Sequence, residues 1–155
     1  MPNNAPMKVV FGCDHGGVRL KNQLIEVATK LGHDVVDASR TTGDPVDYPD
    51  EARHAALVFQ KESADFLVLV CGSGVGVSIA ANRHSFLRAV LTDSPYVVRL
   101  ARAHNHANCI CFGERTMGRD TASAALKAFL EGPADSDSRH QRRVQKLEEP
   151  CPMSS

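Results

Sequence analysis

A short apolar run that leads directly into a glycine-rich turn constrains this chain more than any other feature. Residues 66–70 read FLVLV, and such an uninterrupted run is typical of a strand buried on both faces of a parallel sheet. Cys71 follows, and then three glycines at alternate positions, Gly72, Gly74 and Gly76. Small and apolar residues over positions 77–81 predict a helix. Because a doubly buried strand needs helices above and below it, this segment predicts an α/β fold.

The glycine-rich turn predicts a site for an anion, or for negative charge that develops during a reaction. Glycine lets backbone amides approach a ligand closely, and a helix N-terminus carries partial positive charge. The turn lacks the GK[ST] ending of a P-loop, and no strand ending in an acid follows it at the distance of a ribose ligand. Glycines at this spacing also occur where a helix only packs closely on a sheet, so both interpretations stand at this point.

Cys71 is the sharpest catalytic candidate. A thiol at the top of a strand that faces a helix start is expected to ionise readily and to act as a base or nucleophile. The alternative is a buried structural cysteine. We favour that interpretation for Cys109 and Cys111, which lie two positions apart in an apolar, strand-like run.

Strand and helix patterns alternate along the rest of the chain. Strands are predicted over residues 8–13, 33–37, 66–70, 88–91 and 109–112, and helices over 18–31, 49–62, 77–81, 95–104, 119–130 and 138–149. This order predicts a Rossmann-like, doubly wound five-stranded parallel sheet flanked by helices, with an additional C-terminal helix. We expect one domain over residues 8–149, between a flexible leader of residues 1–7 and a flexible tail of residues 150–155.

Two of the predicted loops are expected to form one crevice. Doubly wound sheets bind their ligands beyond the C-terminal ends of the strands. The loops after the first and third strands carry Asp14, His15 and residues 71–76. Asp14 and His15 are either a polar pair aimed into the crevice, or a loop-capping aspartate beside an exposed histidine.

Composition argues against several classes of partner. Lys plus Arg and Asp plus Glu both total 18, so no broad field attracts nucleic acid or a membrane surface. The apolar runs are too short to span a bilayer, and the first residues lack the apolar core of a secretory signal. The five cysteines are an odd number and lie mostly in apolar runs. They suggest reduced thiols in a cytoplasmic protein.

Histidines and arginines in the C-terminal third allow more than one interpretation. His104 and His106 do not face each other on a helix end, and no cluster of carboxylates or thiolates completes a metal site around them. A single proton-transferring or hydrogen-bonding histidine is therefore favoured over a metal ligand. One face of the last predicted helix carries three arginines, Arg139, Arg142 and Arg143. This face is either a solvated surface or a clamp for phosphate.

Together, six motifs closely resemble one family, the type B sugar-phosphate isomerases, best known for ribose-5-phosphate isomerase. The motifs are GCDH at 12–15, DYP at 47–49, CGSGVGVSIAANR at 71–83, HNHAN at 104–108, GER at 113–115 and RHQRRV at 139–144. They follow the family's order at compatible distances and span about residues 8–149. A second branch of the family has a glutamate at the position of Val77. The chain therefore resembles the branch that uses a cysteine base.

The resemblance implies an aldose–ketose isomerase that interconverts ribose 5-phosphate and ribulose 5-phosphate through an enediolate, in the pentose phosphate pathway. It implies that Cys71 is the base and that Asp14 and His104 open the furanose ring. The implied contacts to the enediolate oxygens are Ser73 and the loop positions Gly72, Gly74, Val75 and Gly76. The implied phosphate ligands are His15, Arg139 and Arg143, with Arg115 as a further candidate and Asn105 as a further substrate contact. Relatives often carry an acid where this chain has His106.

Such chemistry implies a small-molecule sugar phosphate as substrate and requires no metal and no organic cofactor, because a tuned base and fixed donors to the oxyanion suffice. Allose 6-phosphate and galactose 6-phosphate are alternative substrates. A non-catalytic sugar-phosphate sensor, or a nucleotide-binding module of the universal-stress type, are alternatives of a different class. Loss of Cys71 would abolish activity in an enzyme but would leave the affinity of a sensor intact.

The resemblance implies that Cys71 and His104 act on one sugar, and the length of the helix over residues 95–104 then predicts that active sites are shared between subunits. This helix starts at the edge of the sheet where Cys71 lies and must return to the opposite edge before the fifth strand. Ten residues carry its end about 15 Å away. His104 is therefore not expected to reach Cys71 of its own chain. We expect a homodimer with composite sites, or a tetramer built as a dimer of such dimers.

Overall fold

A computed structural model describes residues 5–153, and it confirms the predicted doubly wound α/β architecture. Its five parallel strands are β1 (Lys8–Cys13), β2 (Asp34–Asp37), β3 (Phe66–Cys71), β4 (Ala89–Leu91) and β5 (Cys109–Gly113). The strand order in the sheet is β2-β1-β3-β5-β4. Its helices are α1 (Val18–Lys30), α2 (Tyr48–Lys61), α3 (Val75–Ala81), α4 (Pro95–Asn105), α5 (Arg119–Glu131) and α6 (Ser138–Glu148). Observed and predicted boundaries agree to within two residues.

The central strand β3 explains why the sheet is covered on both faces. All six of its residues are buried, and alternate side chains enter two separate apolar clusters. Val68 and Val70 pack with α1, α4 and α5 on one face, whereas Leu67 and Leu69 pack with α2 and α3 on the other. A strand of this kind has no polar face, which is why its sequence reads as a continuous apolar run.

The sheet brings the loops after β1 and β3 to the same edge. The two strands are parallel neighbours, with Val9 opposite Phe66 and Cys13 opposite Val70. The backbone amide of Asp14 continues this ladder by donating to the carbonyl of Val70 at 3.2 Å. Residues 14–17 therefore run directly beside the glycine-rich turn.

Parts of the predicted leader and tail fall outside the described residues, namely residues 1–4 and 154–155. Within the described part, the Met7 amide donates to Nδ1 of His33 at 3.1 Å, and the Met7 carbonyl accepts from the Asp34 amide at 2.9 Å. Residues 151–153 are exposed and belong to no helix or strand. Between residues 5 and 153, every helix is too short or too polar to serve as a membrane span.

Lys21 is a buried cation on α1 that binds side chains at the end of β2. Its ammonium lies 2.8 Å from Oδ2 of Asp37 and 2.7 Å from Oγ of Ser39, and only 4% of the residue is exposed. Partial burial acts to raise the pKa of Asp37, but hydrogen bonds from Lys21 and Ser39 outweigh it and hold the pKa below its ordinary value of 3.8. Burial raises the pKa of the neighbouring Cys13 thiol to about 11, so that thiol stays protonated.

We predict that Asp37→Asn lowers the free energy of unfolding by about 1–3 kcal/mol, because it leaves a buried ammonium without its counterion. The loss is smaller than for a fully buried pair because the Asp37 side chain is 42% exposed. Since the folded-state pKa of Asp37 is depressed, the pair stabilises the native state above the unfolded pKa, and this contribution is lost as the pH falls through the folded pKa.

Urea unfolding measures this difference, and Asp34→Asn on the same strand is the matched control. The Asp34 side chain is 65% exposed and lies 3.9 Å from the Lys8 ammonium, so its removal should change the free energy of unfolding by less than about 0.5 kcal/mol. Equal losses in the two variants would show that the Lys21 pair is not a stabilising element.

Candidate active site

The turn after β3 places the Cys71 thiol against a backbone amide. Gly74 has a positive φ of 77° and immediately precedes α3. In this conformation its amide donates to Sγ of Cys71 at 3.1 Å. The Val75 amide donates to Oγ of Ser73 at 3.3 Å. This contact fixes the sulfur in the turn, at the position expected for a base or nucleophile.

The loop after β5 holds a guanidinium beside this turn. The amides of Glu114 and Arg115 donate to the carbonyls of Cys71 and Gly72, each at 2.9 Å. The carboxylate of Glu114 accepts from the Leu20 amide at 2.7 Å and so caps the first turn of α1, where Gly17 offers no side-chain cap. Glu114 thus fixes the direction of the loop, and the Arg115 side chain packs against Gly72.

Asp14 and Cys71 line one crevice. A cavity of about 320 Å³ is bounded by Asp14, Tyr48, Cys71, Gly72, Ser73, Gly76, Arg115 and Thr116. Oδ1 of Asp14 accepts from the Gly16 amide at 2.8 Å, so Asp14 also caps its own loop. The two interpretations of Asp14 are therefore compatible. Nδ1 of His15 accepts from the Val46 amide at 3.2 Å, which ties His15 to the polar loop before α2.

Tyr48 and Thr116 line the crevice although sequence reasoning did not select them. The ring of Tyr48 lies so close to the turn that a Cβ on Gly76 would be 2.7 Å from its Cε2. A glycine is therefore needed at this position for the aromatic ring to form a wall of the crevice. The signal in the sequence was the DYP motif, whose tyrosine starts α2 and whose proline occupies the first turn.

A second group of polar side chains lies at the end of α4, against α6. The rings of His104 and His140 stack with centroids 4.1 Å apart and planes inclined by 34°. Nδ1 of His140 lies 3.2 Å from Oδ2 of Asp135. His106 adopts a positive φ of 48° at the end of α4, and its Nε2 lies 3.0 Å from the Asp135 carbonyl. This contact accounts for the histidine at a position where the resemblance leads one to expect an acid.

The two groups lie at opposite edges of the sheet. Cys71 ends β3, whereas Cys109, the first residue of β5, pairs with Leu67. Four residues of strand separate Leu67 from Cys71, which is about 13 Å. Helix α4 ends at Asn105, only a short connection before β5 begins. The structure therefore separates two sets of predicted site residues within one chain, Asp14, His15, residues 71–76 and Arg115 on one side and His104, Asn105, Arg139 and Arg143 on the other.

The second group is also the one set of three possible metal-ligating side chains among residues 5–153. Ligand atoms of His104, Asp135 and His140 lie within 4.8 Å of one another. Nδ1 of His140 already bonds to Asp135, and the His104 ring faces the His140 ring at 4.1 Å between centroids. The geometry favours a hydrogen-bonded pair, and the absence of a catalytic metal stays a prediction.

Cys109 and Cys111 lie inside the sheet, as expected for structural cysteines. Both are fully buried on one face of β5. A hydrogen bond with Cys109, together with burial, raises the pKa of Cys111 well above its ordinary value. Neither side chain lines the crevice.

We predict that Gly74→Ala lowers the free energy of unfolding by about 3 kcal/mol, since it combines a strained φ with a steric clash. The new Cβ would lie 2.5 Å from Cδ1 of Leu91 and 2.9 Å from the backbone of Phe112. Gly32→Ala is the matched control, because Gly32 has a φ of 88° but a Cβ added there would meet nothing within 4 Å.

The control variant should lose about 1 kcal/mol or less in urea unfolding, since it carries only the conformational cost. A loss at Gly74 no larger than the loss at Gly32 would mean that the turn has room to relax.

Comparison with known proteins places this geometry in a family. The sequence profile of the Ribose/Galactose Isomerase family matches residues 9–147. The chain is 38% identical over 140 residues to the ribose-5-phosphate isomerase B of Escherichia coli, covering 90% of this chain and 93% of the other. It is 36% identical over 144 residues to that of Mycobacterium leprae, covering 92% and 89%.

Solved structures agree with the sequence comparison. The type B ribose 5-phosphate isomerase of Trypanosoma brucei superposes with a TM-score of 0.87 at 36% identity, covering 93% of this chain and 98% of that one. The ribose 5-phosphate isomerase of Thermotoga maritima gives a TM-score of 0.86 at 37% identity, covering 92% and 97%. On the agreement of profile, sequence and fold, the chain belongs to the ribose/galactose isomerase family.

Proposed function

We propose that this protein interconverts ribose 5-phosphate and ribulose 5-phosphate through an enediolate. The observation that carries the proposal is the Cys71 thiol, which is 5% exposed, accepts the Gly74 amide and lies in one crevice with Asp14 and Arg115. Relatives named ribose-5-phosphate isomerase B cover about nine tenths of the chain. We further propose that it acts in the cytoplasm, because its five cysteines are free thiols. As an isomerase of these two sugars, it would act in the pentose phosphate pathway.

In this mechanism Cys71 moves one proton between two neighbouring carbons. The thiolate removes the proton from C2 of the open-chain aldose, and the electron pair moves through the new C1–C2 double bond to the carbonyl oxygen. A proton then passes from the C2 hydroxyl to the C1 oxygen, the Cys71 thiol returns the carbon-bound proton to C1, and the C2 oxygen becomes the carbonyl. Oγ of Ser73 accepts the Val75 amide, so its O–H remains available to donate to an enediolate oxygen. Loop amides supply further donors to the developing charge.

Candidate phosphate ligands lie at both edges of the sheet. His15 and Arg115 belong to the Cys71 edge of the sheet, whereas Arg139 and Arg143 lie one helical turn apart on α6, at the opposite edge. A phosphate dianion favours several guanidinium donors at once. We propose that the phosphate binds between these two sets and that each set comes from a different subunit.

The proposed homodimer would join the Cys71 edge of one chain to the His104 edge of another. Four large apolar side chains are exposed on α3 and in the first turn of α4, near the Cys71 edge: Val75 at 49%, Ile79 at 55%, Tyr96 at 64% and Val97 at 42%. Burying such a surface against a second copy is favourable. A tetramer would then be a dimer of such dimers.

The family description also names galactose, so a hexose phosphate is the second candidate substrate. A coupled assay with ribose 5-phosphate, allose 6-phosphate and galactose 6-phosphate, run with and without EDTA, decides between them. We expect the highest kcat/KM with ribose 5-phosphate and no effect of EDTA. A preference for a hexose phosphate over ribose 5-phosphate would reassign the substrate. If none of the three is converted, the non-catalytic sugar-phosphate sensor is the interpretation that the result supports.

We predict that Cys71→Ala lowers kcat for ribose 5-phosphate by at least about a hundredfold, because the variant lacks the base. Its affinity for a phosphorylated, non-reacting sugar acid should stay within about threefold of the wild-type value. Cys151→Ala is the matched control, since Cys151 is the exposed thiol of the tail, and it should keep full activity. Activity of Cys71→Ala within tenfold of wild type would exclude the thiol as the base.

We predict that two inactive variants restore activity when they share a dimer. Cys71→Ala and His104→Ala chains are unfolded together, refolded and assayed with cyclic ribose 5-phosphate. Random pairing gives about half mixed dimers, each with one intact site, so about a quarter of the wild-type activity should return. Mass spectrometry of the native dimers shows whether mixed dimers have formed. Mixed dimers as inactive as the parents would exclude shared sites.

A further inference from the structure

Asp135 fastens the loop between α5 and α6 to the end of α4. Its amide donates to the carbonyl of Ala103 at 3.0 Å, and its carbonyl accepts from Nε2 of His106 at 3.0 Å. Its carboxylate accepts from the Asp137 amide through Oδ1 at 2.8 Å and faces Nδ1 of His140 through Oδ2 at 3.2 Å. Both backbone groups and both carboxylate oxygens of one loop residue are thus engaged, which leaves the carboxylate little freedom to turn.

These contacts determine which ring nitrogen of His140 carries the hydrogen. A carboxylate only accepts, so Nδ1 of His140 carries the hydrogen that is shared with Asp135. On the other side, Nη2 of Arg139 lies 3.4 Å from Nε2 of His140, and a guanidinium only donates. Nε2 therefore presents its lone pair. The contacts thus hold His140 with its hydrogen on Nδ1 and its lone pair on Nε2, and 7% of the residue is exposed.

The ordered His140 ring touches two residues of the proposed site. It stacks on His104 at 4.1 Å between centroids and accepts from Arg139. A ring that turned over would present carbons to Arg139 and Asp135. A ring with its hydrogen on Nε2 would meet the Arg139 donor with another donor and would lose the bond to Asp135. The orientation of His104 thus depends on a ring whose own orientation depends on Asp135.

We infer that Asp135 is a positioning residue, which acts through the Nδ1–H of His140 to keep the His104 ring in the orientation that opens the cyclic sugar. This role rests on the proposed function and adds to it a residue that never touches the substrate. The Asp137 amide is the main cause that lowers the pKa of Asp135, aided by His140 and His104, so Asp135 is the charged acceptor that this arrangement needs.

The first test measures the tautomer and needs no activity. In protein labelled with ¹⁵N histidine, the His140 resonances, assigned with His140→Asn, should show a protonated Nδ1 and a bare Nε2 in the wild type. In Asp135→Ala we expect a shift towards the Nε2–H form that free imidazole prefers. Asp135→Asn, which keeps an oxygen acceptor, should retain the wild-type tautomer. A His140 tautomer unchanged in Asp135→Ala overturns the inference, whatever the substrate of the enzyme is.

The second test separates ring opening from proton transfer between carbons. With cyclic ribose 5-phosphate, Asp135→Ala should lower kcat about tenfold, with KM within about threefold of wild type. Ribulose 5-phosphate has no furanose form, so the rate of deuterium uptake at its C1 in D₂O reports on Cys71 alone. That rate should change less than about twofold. Asp135→Asn should recover most of the lost kcat.

Asp120→Ala, which removes an exposed carboxylate from the first turn of α5, controls for the loss of charge and should leave both rates unchanged. Circular dichroism and urea unfolding verify that the variants are folded. If Asp135→Ala is unstable, Asp135→Asn replaces it in the measurements of the tautomer and of the two rates. Equal losses in isomerisation and in deuterium uptake would mean general damage to the site and would overturn a positioning role. If the wild type turns over no pentose phosphate, the proposed function fails while the tautomer result still stands.

Discussion

The hydrogen bond from the Gly74 amide to the Cys71 sulfur is the contact on which the candidate site depends. It exists because Gly74 adopts a positive φ directly after a strand that is buried on both faces, and Leu91 and the backbone of Phe112 press against the same glycine. The loop after β5 uses two amides to bind carbonyls of the turn, so main-chain geometry also holds Arg115 in place. The core of the domain therefore orients the thiol, and the donors around it do not have to reorganise when charge develops.

The parallel sheet imposes a second constraint, since it has two edges and α4 must return the chain from one to the other. His104 ends up beside His140 and Asp135, on the far side of the sheet from Cys71. Joining these groups around one sugar, as we propose, would require a second copy of the chain. The same helix end is where Asp135 engages α4 with both of its backbone groups, so the proposed control of His104 is built into the connection between α5 and α6.

The sequence alone determined the order of strands and helices along the chain, and it predicted the crevice at Asp14 and Cys71. Both follow from local information, because patterns of neighbouring residues indicate buried strands, helices and the loops at strand ends. Family membership likewise follows from motifs that lie in the linear chain. The sequence also predicted that His104 would lie away from Cys71, because helix length is a local property.

Only the tertiary structure decided which side chains from distant segments meet. Tyr48 forms a wall of the crevice because its ring packs against Gly76, and the DYP motif that contains Tyr48 does not show this contact with the turn. Asp135 and His140 meet only because α6 packs against the end of α4. The composition of the loop between α5 and α6 predicts no fixed course for it. The tautomer of His140 depends on three segments at once. Contacts of this kind arise from the packing of whole elements, and no local pattern encodes them.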